Sequence, residues 1–245
     1  MRLDQFLVQH KKIESRTKAQ DLIAQGLVQF KNKVLTKSSF DVTEDMFSEI
    51  TITENNLSQF VSRAGFKLSG ALDYVKQQVA GLTVLDVGQS TGGFTDALLQ
   101  RQAKHVTGLD VGSVQLHEKI KSDTRVTYFE NLNVKDIASH SLANERFDGV
   151  VCDVSFISLT KVVTFLEPLL KPQGFFLFLV KPQFECGPQA LDKNGIVSDA
   201  KVYDAIQVNI TSLCEQLFQC ECKYFESSIT GKDGNKEFFI YGRKK

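Results

Sequence analysis

Apolar positions follow one pattern up to about residue 56 and a different pattern in the rest of the chain. In the first part Leu3, Phe6 and Leu7 fall on one helical face, and a second helix is predicted over 16–25, ended by Gly26. Short apolar and β-branched runs then predict strands at 27–30, 34–35, 41–42 and 48–52. This part is expected to form a small α+β unit.

From residue 66 onward the pattern becomes one of strands alternating with helices. Helices are predicted over 66–79, 95–101, 160–170 and 200–218, and strands over 83–87, 105–110, 126–129, 147–153 and 174–180. The segments 220–228 and 237–242 are expected to close the sheet as an antiparallel pair. Such alternation predicts an α/β fold with a mostly parallel sheet, in which ligands bind at the carboxyl ends of the strands. The predicted domains are 1–58 and 59–245.

Charge is balanced overall but uneven along the chain. Lys plus Arg and Asp plus Glu number 29 each, so net charge does not point to a nucleic-acid partner. The first forty residues hold eight basic and three acidic side chains, and 41–54 holds acids alone. The basic segment predicts a local patch for a polyanion, although a charge cluster is also typical of an ordinary solvated surface.

The apolar runs are short, and the cysteines suit a reducing compartment. No run approaches the roughly 18 apolar residues of a membrane span, and no secretory leader pattern is seen, so a cytoplasmic protein without membrane association is expected. The five cysteines are expected to be free thiols, and no metal site is expected.

A glycine turn follows the first strand of the alternating part. Asp86, Gly88, Gly92 and Gly93 let the backbone bend sharply and approach a ligand closely, and Asp110 ends the next strand, 24 positions after Asp86. An acid at that place accepts hydrogen bonds from ribose hydroxyls. The spacing is Asp-x-Gly-x-x-x-Gly and differs from the dinucleotide pattern. It therefore favours an adenosine with a zwitterionic tail, S-adenosylmethionine, over a nicotinamide cofactor.

Charged residues also stand at the ends of buried strands. Asp153 and Lys181 follow apolar strands, Lys67 lies ahead of the first strand, and Glu237 begins the last one. Asp153 alone would suit a loop cap, but a lysine leaving an apolar strand has no obvious structural role. Two lysines and two acids at one sheet edge suit proton removal from a hydroxyl that accepts a methyl group, without a metal.

Several motifs together resemble the TlyA family, whose members carry haemolysin names but act as ribosomal RNA 2′-O-methyltransferases. These motifs are Ser62-Arg63-Ala64-Gly65-Phe66-Lys67-Leu68, the turn from Leu85 to Asp96, Leu109-Asp110-Val111-Gly112, Asp153-Val154-Ser155-Phe156-Ile157-Ser158-Leu159 and Leu179-Val180-Lys181-Pro182-Gln183-Phe184-Glu185. The basic amino-terminal part resembles the S-four RNA-binding module. The resemblance runs nearly end to end, and it implies a Rossmann-like class I methyltransferase domain, similar to FtsJ, behind a small α+β S-four domain.

The resemblance also implies site residues. The implied catalytic tetrad is Lys67, Asp153, Lys181 and Glu237, with Lys181 as the base or the group that steers the hydroxyl, and with Glu185 as a rival to Glu237. The implied cofactor contacts are Asp86, Gly88, Ser90, Thr91, Gly92, Gly93, Phe94, Asp110, Val111, Asn133 and Asp153. The implied RNA contacts are Arg2, Lys11, Lys12, Arg16, Lys18, Lys31, Lys37 and Arg63. Two residues depart from the family pattern: Ala64 replaces a usual glycine, and Gln89 replaces a usual small residue and puts the shape of the turn in question.

Three functions are compatible with these observations. The leading hypothesis is an S-adenosylmethionine-dependent rRNA (cytidine-2′-O)-methyltransferase that acts on ribosomal RNA in ribosomal subunits and needs no protein partner. A membrane-active haemolysin is the second, and it lacks support from any span or cationic amphipathic helix. A non-catalytic RNA-binding protein of ribosome assembly is the third, and the presence of Lys67, Asp153 and Lys181 argues against it.

Overall fold

The computed structural model describes residues 1–11, 13–24, 27–31, 33–35, 37–52, 59–231 and 234–245. The chain divides into two compact units, Met1–Gln59 and Phe60–Lys245. Gly26, expected to end the second helix, and Lys12, an expected RNA contact, lie outside the described residues.

The first unit packs two helices on a small antiparallel sheet. Helices α1 (Leu3–His10) and α2 (Arg16–Ala24) cover the sheet of β1 (Val28–Phe30), β2 (Lys33–Val34) and β3 (Ile50–Ile52), in the order β2-β1-β3. Its core contains buried side chains from both helices and the sheet, among them Leu3, Phe6, Leu7, Leu22, Ile23, Val28 and Ile50. The predicted strand at 41–42 is reduced to a single bridge between Arg2 and Asp41.

The second unit alternates strands and helices. Its helices are α3 (Ala64–Val75), α4 (Gly93–Gln100), α5 (Glu118–Lys121), α6 (Val163–Leu166), α7 (Pro182–Glu185) and α8 (Ala200–Phe218). Its strands are β4 (Thr83–Val87), β5 (His105–Leu109), β6 (Val126–Phe129), β7 (Phe147–Cys152), β8 (Leu170–Val180), β9 (Lys223–Glu226) and β10 (Phe238–Arg243). Five short 3-10 helices lie at Val134–Ser139, Ser141–Asn144, Leu159–Lys161, Glu167–Leu169 and Pro188–Ala190.

The seven strands of this unit form one sheet in the order β6-β5-β4-β7-β8-β10-β9. The pairs from β6 to β8 are parallel, and β10 runs antiparallel to both β8 and β9. This arrangement confirms the predicted α/β fold class, including the antiparallel end of the sheet.

Three predicted elements differ from those observed. The helix expected over 160–170 is a 3-10 turn, the single turn α6 and a second 3-10 turn. Several β-branched residues and Pro168 lie in this segment, and both residue types disfavour a continuous helix. Helix α3 starts earlier than predicted and ends at Val75, because Lys76 takes the left-handed conformation (φ 57°). Strand β8 begins at Leu170, and its pairing with β7 has an irregularity between Phe147 and Gly149.

The sheet buries both faces, and strand β8 shows the separation most clearly. Phe176, Phe178 and Val180 pack into a core with α8. The alternate residues Phe175, Leu177 and Leu179 pack into a second core with α3 and α4. Successive side chains of a strand point to opposite faces, so the parity of a position decides which layer of helices it meets.

Candidate active site

Strand parity brings four polar residues to the same face of the sheet. Val84, Val151, Leu179 and Phe239 all belong to the core that contains α3 and α4. Two positions further toward the carboxyl edge of the sheet stand, respectively, Asp86, Asp153, Lys181 and Glu237. Because side chains two apart in a strand share a face, these polar groups are directed to one corner under α3 and α4.

Lys181 is held by two partners at this corner. Its Nζ lies 2.5 Å from Asp153 Oδ1 and donates to Ser155 Oγ at 2.8 Å. The side chains of Lys181 and Asp153 are only 11% and 14% exposed, so water screens the pair weakly. The ammonium group is therefore fixed in place while remaining open to a ligand in the adjoining cavity.

A second ion pair lies beside the first. Lys67 Nζ on α3 is 2.5 Å from Glu237 Oε2, and these side chains are 10% and 3% exposed. Phe238 pairs with Val180 in the antiparallel register, so Glu237 and Lys181 leave neighbouring strands at the same level. The structure thus brings all four predicted tetrad residues to one edge as two ion pairs.

Glu185, the rival acid, is committed elsewhere. It accepts hydrogen bonds from Ser158 Oγ at 2.6 Å and from the Leu159 amide at 2.7 Å, at the start of a 3-10 turn. Burial raises the pKa of its carboxyl. Glu237, and not Glu185, is the acid that pairs with Lys67.

The glycine turn is closely packed as well as bent. Gly88 has φ +81°, and a Cβ added there would lie 2.4 Å from the carbonyl oxygen of Asp153. Gly92 (φ +91°) precedes α4, and a Cβ on Gly93 would lie 2.2 Å from Ser62 Oγ. Larger residues at these positions would push the turn away from β7 and α3, so the glycines fix the shape of the site.

Asp110 organises the other side of the turn. Its two carboxylate oxygens accept from the Ser90 amide at 2.8 Å and from the Gly112 amide at 2.7 Å. Each oxygen has two lone pairs, so the carboxylate can still accept from ribose hydroxyls. Gln115, which the sequence did not single out, accepts from the Ser90 hydroxyl at 3.2 Å.

Two cavities meet at the turn. The larger, of about 530 Å³, has Gly88, Ser90 and Asp110 on one side and apolar walls that include Val134, Val154 and Val162. The predicted cofactor contacts Val111, Asn133 and Asp153 also line it. Pockets of roughly 300–1,000 Å³ hold ligands of this class. The volume, the apolar walls and the acid at the ribose position fit an adenosine cofactor.

The smaller cavity, of about 150 Å³, adjoins the tetrad. Its lining contains the predicted Thr91, Gly93 and Phe94, together with Ser62, Ala64, Gln89, Asp153, Ser155 and Lys181. Gly88, Ser90, Asp153 and Ser155 line both cavities. A ligand in the larger cavity is therefore adjacent to Lys181.

Asp86 lies under the turn and has no solvent exposure. It accepts from Thr95 Oγ1 at 2.7 Å, and Thr95 in turn accepts from Gln89 Nε2 at 2.8 Å. Burial, with the nearby carboxylates of Asp153 and Asp110, raises the pKa of Asp86 to about 7. Gln89 therefore departs from the family pattern without opening the turn, because its amide points inward.

The predicted RNA contacts are placed less uniformly. Arg63 donates to the carbonyl of Thr230 at 2.9 Å, within the second unit. In the first unit Arg2 and Arg16 both bond to the fully buried Asp4, yet their side chains remain 45% and 53% exposed. Of the remaining predicted lysines, Lys31 pairs with Glu49, and the Nζ of Lys11 lies over the Phe6 ring. Lys18 and Lys37 lie in the same unit.

Two residues with a role in these contacts, Ser155 and Asp4, are not indicated by the sequence pattern. Ser155 follows Asp153 by two positions, and only its bond to Lys181 distinguishes its hydroxyl from that of an ordinary loop serine. Asp4 was counted only as a charge, although its carboxylate joins Arg2, Arg16 and Gln20. Within the described residues no cluster of three or more His, Cys, Asp or Glu side chains is suited to a metal, and all five cysteines are free.

Comparison with known proteins agrees with this geometry. The family model described as FtsJ-like methyltransferase matches residues 60–244, and the S4 domain model matches residues 1–47. Campylobacter jejuni 23S rRNA (cytidine-2'-O)-methyltransferase TlyA is 34% identical over 98% of this chain and 98% of its own length. The chain belongs to the TlyA family of FtsJ-like methyltransferases. Membership confirms the predicted enzyme class and its cofactor, S-adenosylmethionine.

Other relatives carry haemolysin names. Hemolysin A of Brachyspira hyodysenteriae is 38% identical over 98% of this chain and 99% of its own length. The solved structure of a haemolysin-named protein from Streptococcus thermophilus has a TM-score of 0.74 and 30% identity, covering 100% of this chain and 88% of that one. Among the described residues no helix has the length and apolar character needed to cross a bilayer.

Proposed function

We propose that this TlyA-family protein transfers a methyl group from S-adenosylmethionine to the 2′-hydroxyl of a cytidine in ribosomal RNA. The observation that carries the proposal is the Lys181 ammonium, held 2.5 Å from Asp153 at the junction of the two cavities. The Campylobacter jejuni relative, named 23S rRNA (cytidine-2'-O)-methyltransferase TlyA, matches this chain over 98% of both lengths and supports the choice of ribosomal RNA and of cytidine.

The proposed roles follow from the contacts. When bound, S-adenosylmethionine supplies an electrophilic methyl group, whose carbon–sulfur bond breaks as the carbon–oxygen bond to the ribose forms. Lys181 has one of two roles: as a neutral amine it takes the proton of the attacking hydroxyl, and as an ammonium it donates to the hydroxyl oxygen and steers it while the proton leaves to solvent. Asp153 and Ser155 hold Lys181 in position, and the Lys67–Glu237 pair supports the same corner. Positioning of this kind can account for most of the rate enhancement.

Binding of the cofactor is assigned to the larger cavity. Asp110 is proposed to accept from the ribose hydroxyls, Asn133 and Val111 to flank the adenine, and the turn at Gly88 to contact the methionine part. Each of these residues lines that cavity, while Thr91, Gly92, Gly93 and Phe94 shape the turn beside the smaller one. The 2′-hydroxyl would enter through the smaller cavity.

An exposed aromatic residue supports an unpaired target nucleotide. Phe156 lines the larger cavity, is 90% exposed and has φ +64°, and its ring lies 5.2 Å from that of Phe184. The ring is exposed and so has no role in the core, and the left-handed backbone at Phe156 is uncommon for a bulky residue. It offers a stacking surface to a base that has left its helix.

The first unit is proposed to bind the RNA backbone. Residues 1–58 would act as the RNA-binding domain and residues 59–245 as the catalytic domain. Arginines held by a carboxylate keep further N–H donors for phosphate oxygens, as Arg2 and Arg16 do around Asp4. The other proposed contacts are Lys11, Lys12, Lys18, Lys31 and Lys37 in the same part of the chain, and Arg63 in the second unit. A ribosomal substrate would place the protein in the cytoplasm, in contact with ribosomal subunits and with no required protein partner.

The test is transfer of label from methyl-labelled S-adenosylmethionine to ribosomal subunits that lack the modification. Label confined to a ribose with the wild-type protein, and lost in Lys181→Ala, supports the proposal. Label on a base, or its absence from every ribosomal particle, contradicts it. Binding to particles without transfer would instead favour a ribosome-assembly factor. Lysis of liposomes by the pure protein would favour the haemolysin alternative.

A further inference from the structure

The glycine turn contains a short hydrogen-bond relay. Gln89 Nε2 donates to Thr95 Oγ1 at 2.8 Å, and Thr95 Oγ1 donates to Asp86 Oδ2 at 2.7 Å. A threonine hydroxyl carries one hydrogen. An ionised Asp86 can only accept, so the Thr95 hydrogen is directed to it, while the Gln89 amide occupies a lone pair of the Thr95 oxygen. Gln89 therefore favours the arrangement in which Thr95 donates to an ionised Asp86 over the one in which a protonated Asp86 donates to Thr95.

The relay needs a specific neighbour. The Gln89 side chain is buried against Gly108, where an added Cβ would lie 2.0–2.1 Å from its terminal amide atoms. Gly108 is the partner of Asp86 in the parallel register of β4 and β5. The glycine thus provides the space in which the long side chain of Gln89 lies flat under the turn.

The charges around Asp86 oppose its ionisation, so the bond from Thr95 affects its protonation state. Asp153 and Asp110 face it from the ends of the flanking strands, Cys152 lies close by, and Thr95 approaches from α4. Asp86 Oδ1 is buried with no hydrogen-bond partner among the described residues. The bond from Thr95 favours the ionised form, whereas burial and the neighbouring carboxylates disfavour it.

We propose that Gln89 is a positioning residue for the cofactor, which acts through Thr95 to keep Asp86 ionised and aligned beneath the glycine turn. The tail of S-adenosylmethionine carries a sulfonium and an ammonium against one carboxylate, so its net charge is positive and an ionised carboxylate beneath the turn favours its binding. This inference rests on the proposed cofactor site. Gln89 stands where the family pattern has a small residue.

The test measures binding of S-adenosylmethionine by calorimetry between pH 6 and pH 8.5 (roughly one unit or more on each side of the Asp86 value). For the wild type the affinity is expected to rise with pH through about 7, as Asp86 loses its proton. Gln89→Met fills the space above Gly108 without a donor, and Thr95→Val removes the hydroxyl. Each is expected to move the pH dependence upward by about one unit and so to weaken binding about tenfold at pH 6, where Asp86 is mostly protonated, with a smaller loss at higher pH.

Two further variants separate positioning from general damage. The double variant should bind no more weakly than either single one, because the relay acts as a unit. Gln100→Met removes a hydrogen bond from the Gln100 side-chain amide to Asp96, on the same helix α4 as Thr95. This variant should leave the pH dependence of binding unchanged. Thermal unfolding is followed in parallel, and if Gln89→Met is unfolded, Gln89→Ser replaces it with the same expectation.

Unchanged affinity and pH dependence in the Gln89 and Thr95 variants, or additive losses in the double variant, would overturn the relay. Failure of the wild type itself to bind S-adenosylmethionine would instead contradict the proposed function. The two failures are therefore distinguishable.

Discussion

Lys67 and Glu237 form a buried ion pair at 2.5 Å, although 170 positions separate them along the chain. The pair joins helix α3 to the start of strand β10. Glu237 in turn lies level with Lys181, because Phe238 is in register with Val180. The position of Lys181 therefore depends on how α3 and β10 are held together.

Replacing one partner of this pair should damage both stability and catalysis. In Glu237→Gln the Lys67 ammonium loses its counter-charge while remaining buried, a change that costs about 3–5 kcal/mol in comparable pairs. Urea unfolding measures the loss of stability, and methyl transfer measures the loss of rate.

A matched double variant separates these effects. Lys67→Met with Glu237→Leu replaces the pair with apolar groups and should recover most of the stability. Methyl transfer should remain impaired, because the polar corner beside Lys181 is lost. Full activity in this variant would show that the pair serves only the fold.

Ser155→Ala should slow methyl transfer more than it weakens cofactor binding, although Ser155 also lines the larger cavity. The substitution removes the 2.8 Å bond that holds Lys181, leaving the Asp153 pair as its remaining restraint. Loss of one such bond to a charged group corresponds to about tenfold in rate. Ser158→Ala is the control, since its hydroxyl bonds to Glu185 in the same loop. Equal losses in both variants would argue against the positioning of Lys181.

Gly108→Ala should destabilise the second unit and weaken cofactor binding. The new Cβ would overlap the Gln89 amide, and overpacking of this kind costs about 1–3 kcal/mol. Adding Gln89→Ala should restore much of the stability, because it frees the space. Thermal unfolding of the two single variants and the double variant measures this rescue. Its absence would mean that the strain arises elsewhere.

Asp4→Asn should destabilise the first unit in a pH-dependent way. The Arg2 guanidinium, helped by Gln20 and Arg16, holds the pKa of Asp4 well below its usual range despite burial. The folded pKa is below the unfolded value of about 3.9, so the carboxylate stabilises the fold above that pH and less as pH falls below it. The free energy of unfolding is measured in urea, with hydrogen exchange at α1 as the probe of the first unit. It should differ strongly between variant and wild type at pH 7 and less at pH 3. A difference independent of pH would contradict this.

Much of the second unit follows from local sequence. The strands at Thr83–Val87 and Val126–Phe129 and the helix Ala200–Phe218 coincide with the predicted spans, since their periodicity is strong and their ends are marked. The prediction of one continuous helix over 160–170 was wrong, because Pro168 and the β-branched residues of this segment disfavour it.

The polar corner was predictable only in part. Strand ends and the family resemblance indicate Asp153, Lys181 and Lys67. The choice between Glu237 and Glu185 depends on the β8–β10 register and on contacts between distant segments, which no local pattern contains. The inward turn of Gln89 likewise depends on the absence of a side chain at Gly108, on another strand.

Nucleoside analysis of ribosomal RNA tests most directly whether Lys181 serves transfer of a methyl group to a cytidine ribose. Unmodified subunits are incubated with S-adenosylmethionine and either the wild type or Lys181→Met, which keeps the side-chain length but removes the ammonium group. The RNA is then digested and its nucleosides are quantified by mass spectrometry. The wild type is expected to produce 2′-O-methylcytidine, and Lys181→Met should lower the rate at least about a hundredfold, the typical range for an acid–base group. A base-methylated nucleoside, or equal yields from both proteins, would contradict this expectation.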